Sequence, residues 1–211
     1  EITLEQVLKE RNQARRPLGL YDYAPISDGA AALVLASPEV AKTYTDMPIY
    51  ILGSASATDY VTFPAREDRT GFVASSLAMQ SALNMANVKL SDIQIAELYD
   101  QSTFLEMVSL EDLGFSKRGT AWMDVFNSCN DYKGYYLVNG KKLYVNMNGG
   151  LKADGNPLGA TGGAQICEVV TQLKCKAGER QVKTDRDLQL GCVLELEGFG
   201  TKGYVYILGR E

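Results

Sequence analysis

Apolar residues along this chain fall into short runs whose period switches repeatedly between that of a strand and that of a helix. Ala30 to Ala36 is a continuous run of small and branched apolar residues, the pattern of a strand buried on both faces. Ile49 to Ala57 reads as a second strand, rich in Ile and small residues. In Ser76 to Met85, Leu77, Leu83 and Met85 are spaced by alanines, which suits a helix packed closely on a sheet. Ser91-Asp92 offers an N-cap-like start before a short strand, Ile93 to Leu98. From Thr103 to Leu113, Phe104, Met107, Val108 and Leu113 recur at helical spacing, and Gly114 stands where a C′ glycine ends a helix. A further helix is predicted over Ala164 to Lys176, with Ile166, Val169, Val170 and Leu173 on one face. Gly191 to Leu196 and Gly203 to Leu208 are two apolar strands joined by Glu197-Gly198-Phe199-Gly200-Thr201-Lys202. Interleaved strands and helices predict an α/β fold, a mixed β-sheet covered by helices on both faces.

Two stretches stand outside this alternation. Residues 1–20 read as a tail or the end of a preceding loop domain, with a helical turn at Leu4, Val7 and Leu8 that Pro17 stops; residues 21–211 form the domain proper. The start at Glu1 rather than Met is expected of a fragment or a processed chain. Near 118–147 the pattern becomes irregular and rich in Tyr, Asn and Gly, which predicts a loop insertion with a small hairpin. There Tyr135 to Asn139 faces Lys142 to Asn146 across a turn at Asn139-Gly140. Loops of this length inside a compact domain tend to be functional. Tyr132, Tyr135, Tyr136 and Tyr144 suit a binding surface and equally a packed hairpin.

Composition removes several function classes. The net charge is −5 and no long basic run is present, which argues against a nucleic-acid partner. No apolar run approaches the roughly 20 residues that span a bilayer, and the opening is charged and polar, so neither a membrane span nor a signal peptide is expected. Cys129, Cys167, Cys175 and Cys192 have no zinc-like spacing and no Cys-x-x-Cys pair. They predict reduced thiols in a cytoplasmic protein without a metal site, Cys167 and Cys192 being core. The chain contains no histidine, the usual proton shuttle near neutral pH.

The densest motif is Asn148-Gly149-Gly150-Leu151-Lys152-Ala153-Asp154-Gly155-Asn156-Pro157-Leu158-Gly159-Ala160-Thr161-Gly162-Gly163, running into a helix. Glycines permit close backbone approach, and the helix start presents free N–H groups, so the stretch reads either as a cradle for a phosphate or thioester oxygen or as a tight loop. It is neither a P-loop nor the dinucleotide Gly-x-Gly-x-x-Gly fingerprint. It resembles the thiolase superfamily signature Asn-x-x-Gly-Gly-x-x-x-x-Gly-His-Pro-x-Gly-Ala-Thr/Ser-Gly, especially that of the sterol-carrier-protein thiolase branch. Three other stretches agree in order: Ser27-Asp28-Gly29-Ala30-Ala31-Ala32, Glu97-Leu98-Tyr99-Asp100-Gln101-Ser102 with its following helix, and Glu197 to Gly203. The resemblance covers roughly residues 18–208 and implies the carboxyl-terminal half of that fold.

Departures from the family pattern carry the functional expectation. The family's catalytic histidines and cysteine fall on Tyr99, Gln101, Asn156 and Glu197, and its nucleophilic cysteine belongs to the amino-terminal half, before this chain begins. Ordinary thiolase chemistry needs a thiolate, an activating His and an acid/base group, and these positions cannot supply them. The resemblance therefore implies an acyl-CoA-handling protein, with a coenzyme A thioester as substrate and no tightly bound cofactor. Within it, some thiolase-like aldolases cleave carbon–carbon bonds with tyrosines in place of the cysteine. On that model Tyr99 is the base if its pKa is lowered or its proton leaves through a chain, and Glu197 is a proton acceptor. Asn156 and backbone N–H groups near Gly198 are donors to an oxyanion. Gly155, Gly159, Gly198 and Gly200 are the backbone positions set against the thioester. Asp100 is expected to be structural. Tyr99 as a packed tyrosine and Glu197 as a solvated turn residue give the other reading, a non-catalytic scaffold. The partners the resemblance implies are a homodimer mate, an amino-terminal thiolase half or an OB-fold protein.

Overall fold

Six strands form one sheet in the order β1-β6-β5-β2-β4-β3 in a computed structural model that describes residues 2–13, 17–129, 134–138, 140–184 and 187–210. Along the chain, helix α1 (Leu4–Gln13) and α2 (Pro38–Tyr44) precede β1 (Tyr50–Thr58), α3 (Val73–Ala86), β2 (Ile95–Leu98) and α4 (Thr103–Asp112). Then follow α5 (Ala121–Cys129), β3 (Tyr136–Val138), β4 (Lys141–Val145), α6 (Gly150–Asp154), α7 (Thr161–Leu173), β5 (Leu190–Glu197) and β6 (Lys202–Gly209). The sheet is mixed: β1, β6 and β5 run antiparallel, whereas β2 pairs in parallel with both β5 and β4.

Strand alternation divides the core between the two faces. Ala96 and Leu98 of β2, Cys192 and Leu194 of β5, and Val205 and Ile207 of β6 pack with Ala78, Met79 and Ala82 of α3 and with α4. Ile95, Val193 and Leu208 face the other way, onto Val169 and Leu173 of α7. Central β2 is buried at every position, as a strand covered on both faces must be. Gly191 is the contact that lets α7 sit so close: a Cβ there would meet Val169 Cγ1 at 2.5 Å and Ile95 Cγ2 at 2.8 Å.

Three expectations need correction. Ala30 to Ala36 forms no strand; the run is exposed, with Val34 at 98% and Leu35 at 74%. Apolar, β-branched sequence becomes a strand only with a ladder partner, and among the described residues none lies beside this run. Inside the expected loop, residues 121–129 are helical. Asn, Ser, Cys and aromatic residues are weak helix formers, and the cap is supplied from outside the segment: Glu111 Oε1 accepts from Ala121 N at 3.0 Å. The hairpin after it pairs Tyr136↔Leu143 and Val138↔Lys141 as expected, with residues 132 and 139 outside the described set. Its tyrosines are packed rather than offered to solvent. Tyr144 is buried and meets Tyr135 edge to face at 5.6 Å. Tyr136 Oη donates to Glu106 Oε1 at 2.8 Å. The third correction concerns Cys167, which is only half-buried while Cys192 is fully buried; both, like Cys175, are free thiols.

Leu194 is fully buried between α3 and the sheet. Leu194→Ala is expected to lower unfolding free energy by about 2–5 kcal/mol, through lost transfer energy and a residual cavity. Urea denaturation with an unchanged m-value checks it.

Candidate functional site

The site is assembled where β2 ends. Parallel pairing of Leu98 with Leu194 puts the next residue, Tyr99, level with Glu195 on β5. The Tyr99 ring belongs to the core under α3 and α4, and its hydroxyl accepts from Asn156 Nδ2 at 3.2 Å. Asn156 is 1% exposed. Its Oδ1 accepts from Leu158 N at 3.1 Å and from Thr161 Oγ1 at 3.2 Å, which fixes the amide orientation and ties Tyr99 to the first residue of α7. Burial pushes the Tyr99 phenol above its ordinary pKa, against the lowering effect of the Asn156 bond and with smaller upward pushes from Glu195 and Asp100. Tyr99 therefore holds its proton at neutral pH, and the lowered pKa that a base would need is not what this environment produces.

The glycine-dense segment is a folded loop rather than an open cradle. Its first part is α6, entered through Gly150 at φ +63°, where any Cβ would run into the Asp100 carboxylate. Asp100 Oδ1 accepts from Leu151 N at 2.8 Å, which ties the end of β2 to α6. Asn148 closes the other side: its Oδ1 accepts from Gly150 N at 2.9 Å and its Nδ2 donates to Asp154 Oδ2 at 2.6 Å. Gly155 abuts Ser27, whereas Gly159 faces open space. The segment before the exposed run joins the site through Asn156 N to Pro25 O at 2.8 Å and Ala24 N to Gln101 O at 2.8 Å. Lys152 Nζ donates to the carbonyls of Tyr21 and Tyr23, stapling that segment to α6.

Beside Asn156 lies a cavity of about 180 Å³ bounded by Asp28, Glu97, Asp100, Asp154, Gly155 and Gln165. Glu97 is buried on the α7 face, and burial first, then repulsion from Glu168 and Asp100, drives its pKa well upward. Among the described residues no group of His, Cys, Asp and Glu is arranged to hold a metal ion.

Glu197 is not drawn into this cluster. It is exposed at the end of β5, where Lys202 Nζ approaches its Oε2 at 3.2 Å and Tyr204 Oη donates to the same oxygen at 2.9 Å. Those partners, Tyr204 first, hold its carboxyl below the ordinary value. The β5 carboxyl whose charge reaches Tyr99 is Glu195. It lies against the start of α7, where a Cβ on Gly162 would contact Glu195 Cγ at 3.4 Å. Burial alone raises its pKa to about 8, and its Oε2 has no hydrogen-bond partner among the described residues. The sequence carries a signal for it, a lone carboxylate inside an apolar strand, but motif alignment points past it to Glu197 two residues on. The loop after Glu197 turns through Gly198, Phe199 and Gly200 at φ +60°, +53° and +72°.

The assembled fold and site match a known family. Residues 55–210 fit the model of the thiolase C-terminal domain-like family, and the chain belongs to that family. An acetyl-CoA acetyltransferase of Methanothermobacter thermautotrophicus is 37% identical over 210 residues, covering 100% of this chain and 52% of the relative. Sterol carrier protein 2 of Gallus gallus is 34% identical over 187 residues, 86% of this chain and 33% of the relative. The chain thus spans about half the length of the acetyltransferase it matches. Among solved structures, the Ltp2-ChsH2(DUF35) aldolase superposes with a TM-score of 0.80 at 30% identity, over 99% of this chain and 51% of that one. The Bacillus anthracis acetyl-CoA acetyltransferase, 19% identical, shares the fold with a TM-score of 0.69 over 100% of this chain and 43% of its own. The carboxyl-terminal thiolase half expected from the sequence is therefore the fold observed. No helix among the described residues is long and apolar enough to cross a membrane.

The buried acids set a pH dependence. Burial raises Glu195 to about 8 and Glu106 to about 7, both from 4.5. The folded state thus binds these protons more tightly than the unfolded chain. Their contribution to stability is complete below about pH 4.5 and is lost as pH rises through 7 to 8. Melting temperatures between pH 5 and 8.5 should fall less steeply for Glu195→Gln than for the wild type; equal slopes would place the Glu195 carboxyl in solvent.

Proposed function

We propose that this chain is the carboxyl-terminal part of an acyl-CoA-handling enzyme that breaks or forms a carbon–carbon bond without a cysteine nucleophile, acting with an amino-terminal half or a partner chain. The observation that carries the reading is the hydrogen-bonded chain Tyr99–Asn156–Thr161, whose first two members stand where the resemblance puts acid/base groups of the family, together with the buried Glu195 carboxyl, raised to about 8, whose charge reaches Tyr99. Similarity to an aldolase at 30% identity over nearly the whole chain supports it.

In a retro-aldol cleavage the β-hydroxyl of the acyl chain gives up its proton, the Cα–Cβ bond breaks, and the electron pair moves onto the thioester oxygen as an enolate. The enolate then takes a proton at Cα. A phenol that keeps its proton is suited to donate to that enolate oxygen. Asn156 fixes the direction of the Tyr99 hydroxyl, and N–H groups of the Gly198–Gly200 turn are further donors. Glu195, whose pKa of about 8 leaves an ionised fraction near neutral pH, is the proton-exchanging group: its carboxylate form receives the hydroxyl proton and the resulting acid returns that proton to Cα. Glu197 stands at the solvent edge of the same strand face as an outer acceptor. Gly155 and Gly159 flank the coenzyme's approach along the α7 start.

The exposed run Ala30 to Ala36 supports the partner part of the reading: a β-prone apolar segment without a ladder is what a strand of an amino-terminal half, or a partner chain such as a homodimer mate or an OB-fold protein, would pair. Free thiols at Cys167, Cys175 and Cys192 fit a cytoplasmic setting. Exposure and ion pairing of Glu197 favour a second reading, a non-catalytic scaffold.

Cleavage of a β-hydroxyacyl-CoA by the protein as isolated with its partner tests the proposal. Tyr99→Phe is expected to lower kcat about 100-fold, as loss of one oxyanion donor does, with the fold intact by circular dichroism. Absence of cleavage, with partner binding unaffected by joint replacement of Tyr99, Asn156 and Glu197, would leave the scaffold.

A further inference from the structure

Between β1 and α3 the chain buries a cation. Arg66 is 3% exposed, and its guanidinium donates from all its nitrogens: Nε to Tyr60 O at 2.9 Å, Nη1 to Phe199 O at 2.9 Å and Nη2 to Thr201 Oγ1 at 3.0 Å. Asp59 Oδ2 lies 3.9 Å from Nε, and Asp59 N donates to Thr201 O at 2.7 Å. The rings of Phe63 and Phe72 flank the guanidinium, each centroid 5.8 Å away. Removing a guanidinium from water is costly unless its donors are satisfied. Here most of that satisfaction comes from the turn after β5, remote in sequence.

That turn has an unusual backbone. Gly198, Phe199 and Gly200 are all left-handed, and Phe199 carries a side chain in a region that L-residues avoid. Thr201 closes the turn on Gly198 O through its N–H at 3.2 Å and its hydroxyl at 2.6 Å. The Phe199 ring is held by Phe72, edge to face at 5.3 Å, and by Phe63 at 6.3 Å. In a trans peptide the carbonyl and the following N–H point to opposite sides. With the Phe199 carbonyl bonded inward to Arg66, the Gly200 N–H points away from the guanidinium. Neither the Phe199 nor the Gly200 N–H has an acceptor among the described residues.

We propose that Arg66 is the positioning residue of this turn: by gripping the Phe199 carbonyl it keeps Phe199 left-handed and aims the Gly200 N–H outward as a fixed donor. The assignment rests on reading the turn as an oxyanion donor, as above. Arg66 itself touches no reacting atom. Its planar fork spans acceptors on separate segments, which a lysine cannot do with a single ammonium.

The test uses Arg66→Lys and Arg66→Ala in the protein together with whatever partner chain it is isolated with. Amide hydrogen exchange at Thr201 and Asp59, whose N–H groups donate to Gly198 O and Thr201 O, should rise about 10-fold or more in Arg66→Lys while the interiors of β5 and β6 exchange as in the wild type, the signature of a local opening. With a β-hydroxyacyl-CoA, kcat should fall at least about 10-fold and KM change by less than about 2-fold, since a transition-state donor is lost rather than uniform binding. Added guanidinium ion, but not methylammonium, should restore part of the Arg66→Ala rate. Unchanged exchange and kcat in Arg66→Lys, or exchange that rises equally along β5 and β6, would reduce Arg66 to a structural cation and overturn the proposal. If the wild type cleaves no CoA thioester, the functional reading falls and turn exchange alone decides whether Arg66 positions the turn. If Arg66→Ala does not fold, Arg66→Lys carries the same decision.

Discussion

Asn156 is the point on which the rest of the site depends. Its backbone N–H donates to Pro25 O and its carbonyl accepts from Ser27 N, so one peptide unit fastens the segment before the exposed run to the glycine loop. Its side chain, 1% exposed, spends the amide nitrogen on Tyr99 and the carbonyl oxygen on Leu158 and Thr161. A buried amide left without partners costs about 1–3 kcal/mol, so the position specifies an amide rather than merely tolerating one. A histidine, which the family keeps here, could move a proton; an amide can only hold donors and acceptors in place.

Several carboxyl groups in this chain are displaced from their ordinary range by burial. Glu195 and Glu106 are raised into the neutral region, and Glu97 is driven well upward. These acids are neutral where ordinary glutamates are charged. Glu106 accepts from Tyr136 and, at 3.5 Å, from Asn146, whose Oδ1 accepts from Leu98 N, so the hairpin, α4 and the end of β2 share one polar network. Glu195 stands apart from that network, beside Tyr99, with an oxygen left over. Desolvation is the largest cause of all three shifts.

Much of the fold was legible because its strands and helices obey simple periods. The final hairpin of β5 and β6, the helix α3 and the glycine loop leading into α7 fall within a few residues of their expected bounds. The misses share a physical cause: each depends on something outside its own segment. The helix α5 is capped by Glu111, and the run after Ala30 lacks a partner strand. Within the site, the Tyr99–Asn156 pairing follows the motif positions, and the structure brings the two into hydrogen-bond contact. Glu195 and Arg66 were not legible because no local pattern marks them: the first is defined by parallel register with Tyr99, the second by a turn more than a hundred residues away.

Continuity of the chain couples the site to whatever covers the exposed run. Asp28, Gly29 and Ala30 form one wall of the cavity beside Asn156, and the same backbone continues directly into Leu33, Val34 and Leu35, all exposed. Exposed large apolar residues in a contiguous stretch mark an interaction surface. A strand pairing with that run would fix the backbone at Ala30, and through Ser27 and Asn156 it would fix the loop that orients Tyr99. The exposed run and the site geometry are therefore linked through the short segment 24–30. Its hydrogen bonds to Gln101 and Asn156 tie this side of the site to the exposed run.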